Sequence, residues 1–127
     1  MRSDMTIRID IDLGLSSLKG VLALKDTGLG VEWRQYDLFD APKGPLESVI
    51  ISLADLAGVK VRSRPFRPKL EITAKSASTF GKIPLPAGDL AILKAKGSRS
   101  DRSQAEAWGA EASLRIAEAM SGRDLLE

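Results

Sequence analysis

Apolar and polar residues alternate along most of the chain, most clearly near its start. Over residues 6–13, Ile7, Ile9, Ile11 and Leu13 fall on one side of an extended backbone and Arg8, Asp10 and Asp12 on the other. A period of two marks a strand with one face buried and one wet. The pattern resumes over residues 18–25 and 31–36. The breaks between are Gly14 to Ser17, and Asp26-Thr27-Gly28 with Gly30, residue types that accept the backbone angles of tight turns. These three segments predict a meander. Beyond the breaker run Asp40 to Pro45, residues 46–53 carry Val49-Ile50-Ile51, apolar on both faces, which predicts a strand central in its sheet. Residues 59–63 alternate Val59 and Val61 with Lys60 and Arg62. After Arg64-Pro65-Phe66-Arg67-Pro68, Leu70, Ile72 and Ala74 alternate with Lys69, Glu71, Thr73 and Lys75. Residues 80–85, cut by Pro84 and Pro86, predict a short edge strand or bulge, and residues 90–95 a last strand, about eight in all.

The period changes once, over residues 101–120. Ala105, Trp108, Ala112, Ile116 and Ala119 recur every three or four residues and share one face of a helix. Asp101 with Gln104 three residues later reads as a capping box, and Gly122 as a stop. One helix after a run of strands has a simple use, which is to close the open end of a β structure with the Trp108 indole as the plug. The predicted fold is therefore mainly β, an antiparallel sandwich or partly open barrel capped by one C-terminal α-helix. The connections between strands are too short to hold the helices of a parallel α/β fold. The 127 residues form one domain, with 1–5 and 122–127 expected as flexible tails.

This arrangement resembles a pleckstrin-homology-like domain of the small bacterial single-domain type. The segments that carry the resemblance are Gly20-Val21-Leu22-Ala23-Leu24, Gly30-Val31-Glu32-Trp33, Ile50-Ile51-Ser52-Leu53-Ala54-Asp55-Leu56 and Asp101 to Trp108. In that family a C-terminal helix packs a single Trp into the open end of the barrel, and Trp108 matches that position. Members that bind phosphoinositides carry a Lys and then a basic-x-Arg step across the first hairpin. Here Lys19, Lys25 and Arg34 stand apart around Asp26 and Glu32, so the resemblance implies the scaffold and not inositol-phosphate recognition.

Composition narrows the chemistry. Cysteine and histidine are both absent, which removes thiol nucleophiles, Ser-His-Asp triads, imidazole acid–base catalysis and Cys/His zinc sites together. No cofactor is expected, and the chain is not expected to be an enzyme. A carboxylate enzyme built on Asp10, Asp12 or Tyr36 is the least favoured of three readings, because two carboxylates on one strand are ordinarily a wet face. No apolar run is long enough to cross a bilayer, and Met1-Arg2-Ser3-Asp4-Met5 is not followed by the apolar core of a secretory signal. The expected location is the cytoplasm, with peripheral membrane contact open to it.

Charge supplies the candidate site. The net charge is −3 over residues 1–57, +8 over 58–104 and −3 over 105–127. Within the basic third, Lys60, Arg62 and Arg64 step along one strand face, and Arg67 and Lys69 follow around the apolar tip Phe66. Such a surface suits an anionic lipid surface or an acidic protein partner. Specific nucleic-acid binding is not expected, because aromatic residues are only 5% of the chain and do not interleave with the basic ones. Lys94, Lys96, Arg99 and Arg102 make a second basic group before the helix. A line of small residues, Ala105, Gly109, Ser113 and Ala117, permits close approach, either of the protein's own strands or of a second copy in a homo-oligomer. The leading expectation is a non-catalytic, self-associating interaction module engaging an anionic partner. The alternative is a purely structural or assembly protein without a ligand.

Overall fold

The computed structural model describes residues 5–62, 67–86 and 88–126. Among them seven strands form one antiparallel sheet: β1 (Met5–Asp12), β2 (Ser17–Lys25), β3 (Gly28–Tyr36), β4 (Glu47–Ile51), β5 (Leu56–Arg62), β6 (Lys69–Ala74) and β7 (Ile92–Lys96). Among the described residues one α-helix, α1 (Arg102–Leu126), follows the last strand. The strand order is β4-β3-β2-β1-β7-β6-β5, two meanders joined where β1 meets β7. β4 and β5, consecutive in the chain through a 3-10 turn at Leu53–Asp55, lie at opposite edges, so the sheet is not closed into a barrel. This is the mainly β, helix-capped fold that the alternation implied.

The inner face is built by every second residue of the strands. Ile7, Ile9 and Ile11 of β1, Leu18, Leu22 and Leu24 of β2, and Leu29, Val31 and Trp33 of β3 are all buried. Leu70 and Ile72 of β6 and Leu93 and Ala95 of β7 join them in one core. A one-residue slip would turn that whole set to solvent, so the core fixes the register. The first turn is held by Asp12, whose Oδ1 accepts the Gly14 N–H at 2.8 Å. In the β3–β4 loop the Asp37 carboxylate accepts the N–H groups of Phe39 and Ala41 at 2.8 and 3.0 Å. Gly20 is needed for a different reason, since a Cβ there would collide with the Glu32 carbonyl of the adjoining strand.

Two strand readings are corrected. Residues 47–51 form an edge strand and not a central one, and Ile50, on the outer face, is 58% exposed. Residues 80–85 make turns instead of a strand; Pro84 and Pro86 prevent ladder pairing, while Phe80 and Ile83 still drop into the core.

The helix closes the structure. Ala105, Trp108, Ala112 and Ile116 are buried, Trp108 to 1% exposure, and the indole N–H donates to the Met5 carbonyl at 3.2 Å. The N-terminus is not the expected capping box. A 3-10 turn at Arg99–Asp101, capped by Ser98, runs directly into α1, and the Gln104 amide donates to the Thr6 carbonyl at 2.8 Å. Nor does the helix stop at Gly122; it continues to Leu126, a glycine inside a helix costing only about 1 kcal/mol.

Candidate functional site

The line of small residues on α1 faces the protein's own sheet. Ala105 and Gly109 are buried, and a Cβ on Gly109 would collide with Val61 of β5. The Ser113 hydroxyl reaches the Val59 carbonyl at 3.4 Å, while Ala117 is exposed. Glycine at this crossing lets the helix lie close against the β5 edge. Trp33, like Trp108, is a core residue.

The basic residues meet on the opposite side of the sheet, and the strand register arranges them. Residues directly opposite on neighbouring strands share a face, with Cβ atoms about 5 Å apart. Arg62 of β5 stands opposite Lys69 of β6, and Lys69 stands opposite Lys96 of β7. Lys96 is opposite Asp10 of β1, Asp10 opposite Lys19 of β2, and Lys19 opposite Arg34 of β3. One row thus crosses six strands with five cations and one carboxylate. At about 4.8 Å per strand it spans about 24 Å.

Asp10 is already engaged. The Arg67 guanidinium bonds its Oδ2 at 2.5 Å and donates through Nε to the Gly97 carbonyl at 2.8 Å, so Arg67 pins the segment after the second proline cluster onto β1. Lys19 is shared: its ammonium reaches Asp40 Oδ1 at 3.2 Å and lies 5.1 Å from the centre of the Tyr36 ring. Arg34 is half-buried, and its buried Nε has no acceptor among the described residues. Asp12, the other carboxylate of the sequence pair, caps its turn as described above. Among the described residues no group of three or more His, Cys, Asp or Glu side chains is placed to hold a metal ion.

Two depressions of about 290 Å³ each dent this face and share Asp10 and Lys96. One extends toward Lys19, Gly20, Arg67 and Ser98; the other toward Arg62, Lys69 and Lys94, with Asp12 and Glu71 also in its lining. Together they make a shallow trough running across the strands from β2 to β5.

Of the surface inferred from the sequence, Lys60, Arg62 and Lys69 are exposed, and Arg67 joins their face through Asp10. Arg64 and Phe66 lie outside the described residues. Sequence reasoning placed Lys94 and Lys96 in a separate group at the hinge and set Lys19 and Arg34 aside. The structure brings all four to the same face as Arg62 and Lys69. Lys96 lies beyond the last strand expected from the sequence, and only the pairing of β6 with β7 and of β7 with β1 aligns it with the others. No helix among the described residues is long and apolar enough to cross a membrane. No family model matches the chain, and neither a curated protein nor a solved structure is significantly similar to it.

Proposed function

We propose that this protein is a non-catalytic interaction module, pleckstrin-homology-like in plan, that holds an anionic partner on the outer face of its sheet. The observation that carries the reading is the direct register of Arg62, Lys69 and Lys96, three cations opposite one another on adjacent strands with no carboxylate between them. Like charges directly opposite are destabilising, so a sheet selected for stability alone would interleave them. A bound anion removes the repulsion and gives the row a purpose. The two meanders, their order and the single closing helix support the pleckstrin-homology-like plan.

Retention on phosphocellulose tests the reading. A Lys69→Glu, Lys96→Glu double variant is compared with Lys43→Glu, Lys82→Glu, which changes the net charge equally at exposed positions off the row. The row variant elutes at clearly lower salt than the control. Equal elution of the two would show that only net charge matters and would refute the reading.

A second reading, self-association, is favoured by the β4 edge. Ser48 to Ile51 bear no charge and Ile50 is exposed, whereas the β5 edge carries a bulge between Leu56 and Gly58, Lys60, Arg62 and the helix. Bare edges of this kind pair with other strands. Native mass spectrometry of wild type and Ile50→Lys checks it: a dimer lost in the variant supports pairing through β4, and a monomeric wild type contradicts it.

A further inference from the structure

We infer that the anionic partner is a linear chain of phosphates without stacking bases, with inorganic polyphosphate as its simplest form. The inference rests on the anion-binding reading above and adds the class of ligand. Three features of the face select it.

The first is direction and spacing. The cations are arrayed across the strands at the strand interval of about 4.8 Å, along a stripe about 24 Å long. An extended acidic peptide presents same-face carboxylates only every second residue, about 6.7 Å apart, and falls out of step within three positions. A phosphate chain is charged at every unit and flexible enough to match the closer interval. The second is shape. The two joined depressions form a trough, which accepts a chain lying along it. The third is composition. Lysine acts on phosphate as a point charge without demanding the planar, two-pronged geometry of a carboxylate. Bases, by contrast, need aromatic platforms. Tyr36 is the one aromatic on the strands of this row and the Lys19 ammonium already lies near its ring, while Phe39, exposed in the adjoining β3–β4 loop, is a single platform and not the series that bases need. Trp33, Phe80 and Trp108 are in the core.

Asp10 does not defeat the stripe, because the Arg67 guanidinium meets its charge. A phosphate chain entering beside Arg62 therefore passes Lys69 and Lys96, crosses the Asp10–Arg67 pair and continues to Lys19 and Arg34.

Calorimetric titration of the full chain against long-chain polyphosphate, tripolyphosphate, poly-glutamate, poly-uridylate and phosphatidylcholine vesicles containing phosphatidylglycerol tests the inference. Long polyphosphate binds about tenfold tighter than any of the others. Its affinity falls with salt at a log–log slope of about −3, as expected for four to five phosphate contacts on a flexible chain. Lys69→Glu weakens it about tenfold. Arg34→Gln, at the far end of the stripe, weakens long polyphosphate and leaves tripolyphosphate unchanged. Equal binding of poly-glutamate or poly-uridylate, or preference for the vesicles, overturns the phosphate-chain inference while the anion-binding reading stands. Failure of every polyanion to bind overturns both. Unchanged far-ultraviolet circular dichroism and a single cooperative thermal transition in each variant establish that the fold is intact.

Discussion

Two rows of side chains, two residues apart on the same three strands, differ in how they handle charge. In one, Lys60, Glu71 and Lys94 are successive cross-strand partners, with an acidic residue at the centre. In the other, Arg62, Lys69 and Lys96 occupy the same relation with a lysine at the centre. Backbone and strand position are matched, and the central residue is the main difference, a half-buried Glu71 in one row and an exposed Lys69 in the other. The first row is the arrangement that stabilises a sheet; the second is mildly destabilising and has to be justified by something outside the fold.

The largest effect breaks the support beneath both rows. Trp108→Ala empties the space the indole fills under the sheet and removes its bond to the Met5 carbonyl. It is expected to cost about 3–5 kcal/mol, read from the urea midpoint. A loss below about 1 kcal/mol would mean that the helix is not what closes the structure. Next, Glu71→Lys turns the compensated row into a copy of the uncompensated one. Two attractions become two repulsions, for a loss of about 1 kcal/mol that shrinks as salt is raised. A loss that does not depend on salt would show that Glu71 acts through packing instead.

A smaller effect concerns the boundary of the stripe. Arg67→Ala leaves Asp10 without its guanidinium partner and the Gly97 carbonyl without a donor. Because both Arg67 and Asp10 are about two-fifths exposed, solvent screens the pair, and the expected stability loss is about 0.5–1 kcal/mol. Polyanion binding should weaken more than stability does, since the Asp10 charge is then uncovered in the middle of the trough. Binding equal to wild type would place the ligand elsewhere.

The contrast between the rows also marks what the amino-acid order makes legible. The inner face was readable, because Ile7, Ile9 and Ile11 or Leu70 and Ile72 repeat at an interval that only a half-buried strand explains. The Trp108 helix announced itself by its change of period. The misreadings arose where local pattern and tertiary context part. Val49-Ile50-Ile51 looks like a doubly buried strand, yet β4 is an edge and Ile50 points outward. Residues 80–85 look like a strand because Phe80 and Ile83 are core residues, although they reach the core from turns. The cationic row was unreadable for a different reason. Arg62 and Lys69 were grouped because they are near in sequence, but Lys19 and Lys96 join them only through the β1–β2, β1–β7 and β6–β7 registers, which no single segment encodes. Of the line Ala105, Gly109, Ser113 and Ala117, Gly109 lies against Val61 and Ser113 reaches the Val59 carbonyl of β5, whereas Ala117 is exposed.

The smallest expected change in stability gives the most direct test. Lys69→Glu places a carboxylate opposite both Arg62 and Lys96 and makes the second row resemble the first. Urea denaturation at low salt, with and without long-chain polyphosphate, should find the variant without ligand slightly more stable than wild type, by about 0.5 kcal/mol. Saturating polyphosphate should then stabilise the variant by about 1.4 kcal/mol less than it stabilises wild type, the equivalent of tenfold weaker binding. A variant less stable than wild type in the absence of ligand, and stabilised by polyphosphate to the same degree, would contradict the claim that this row serves a bound anion.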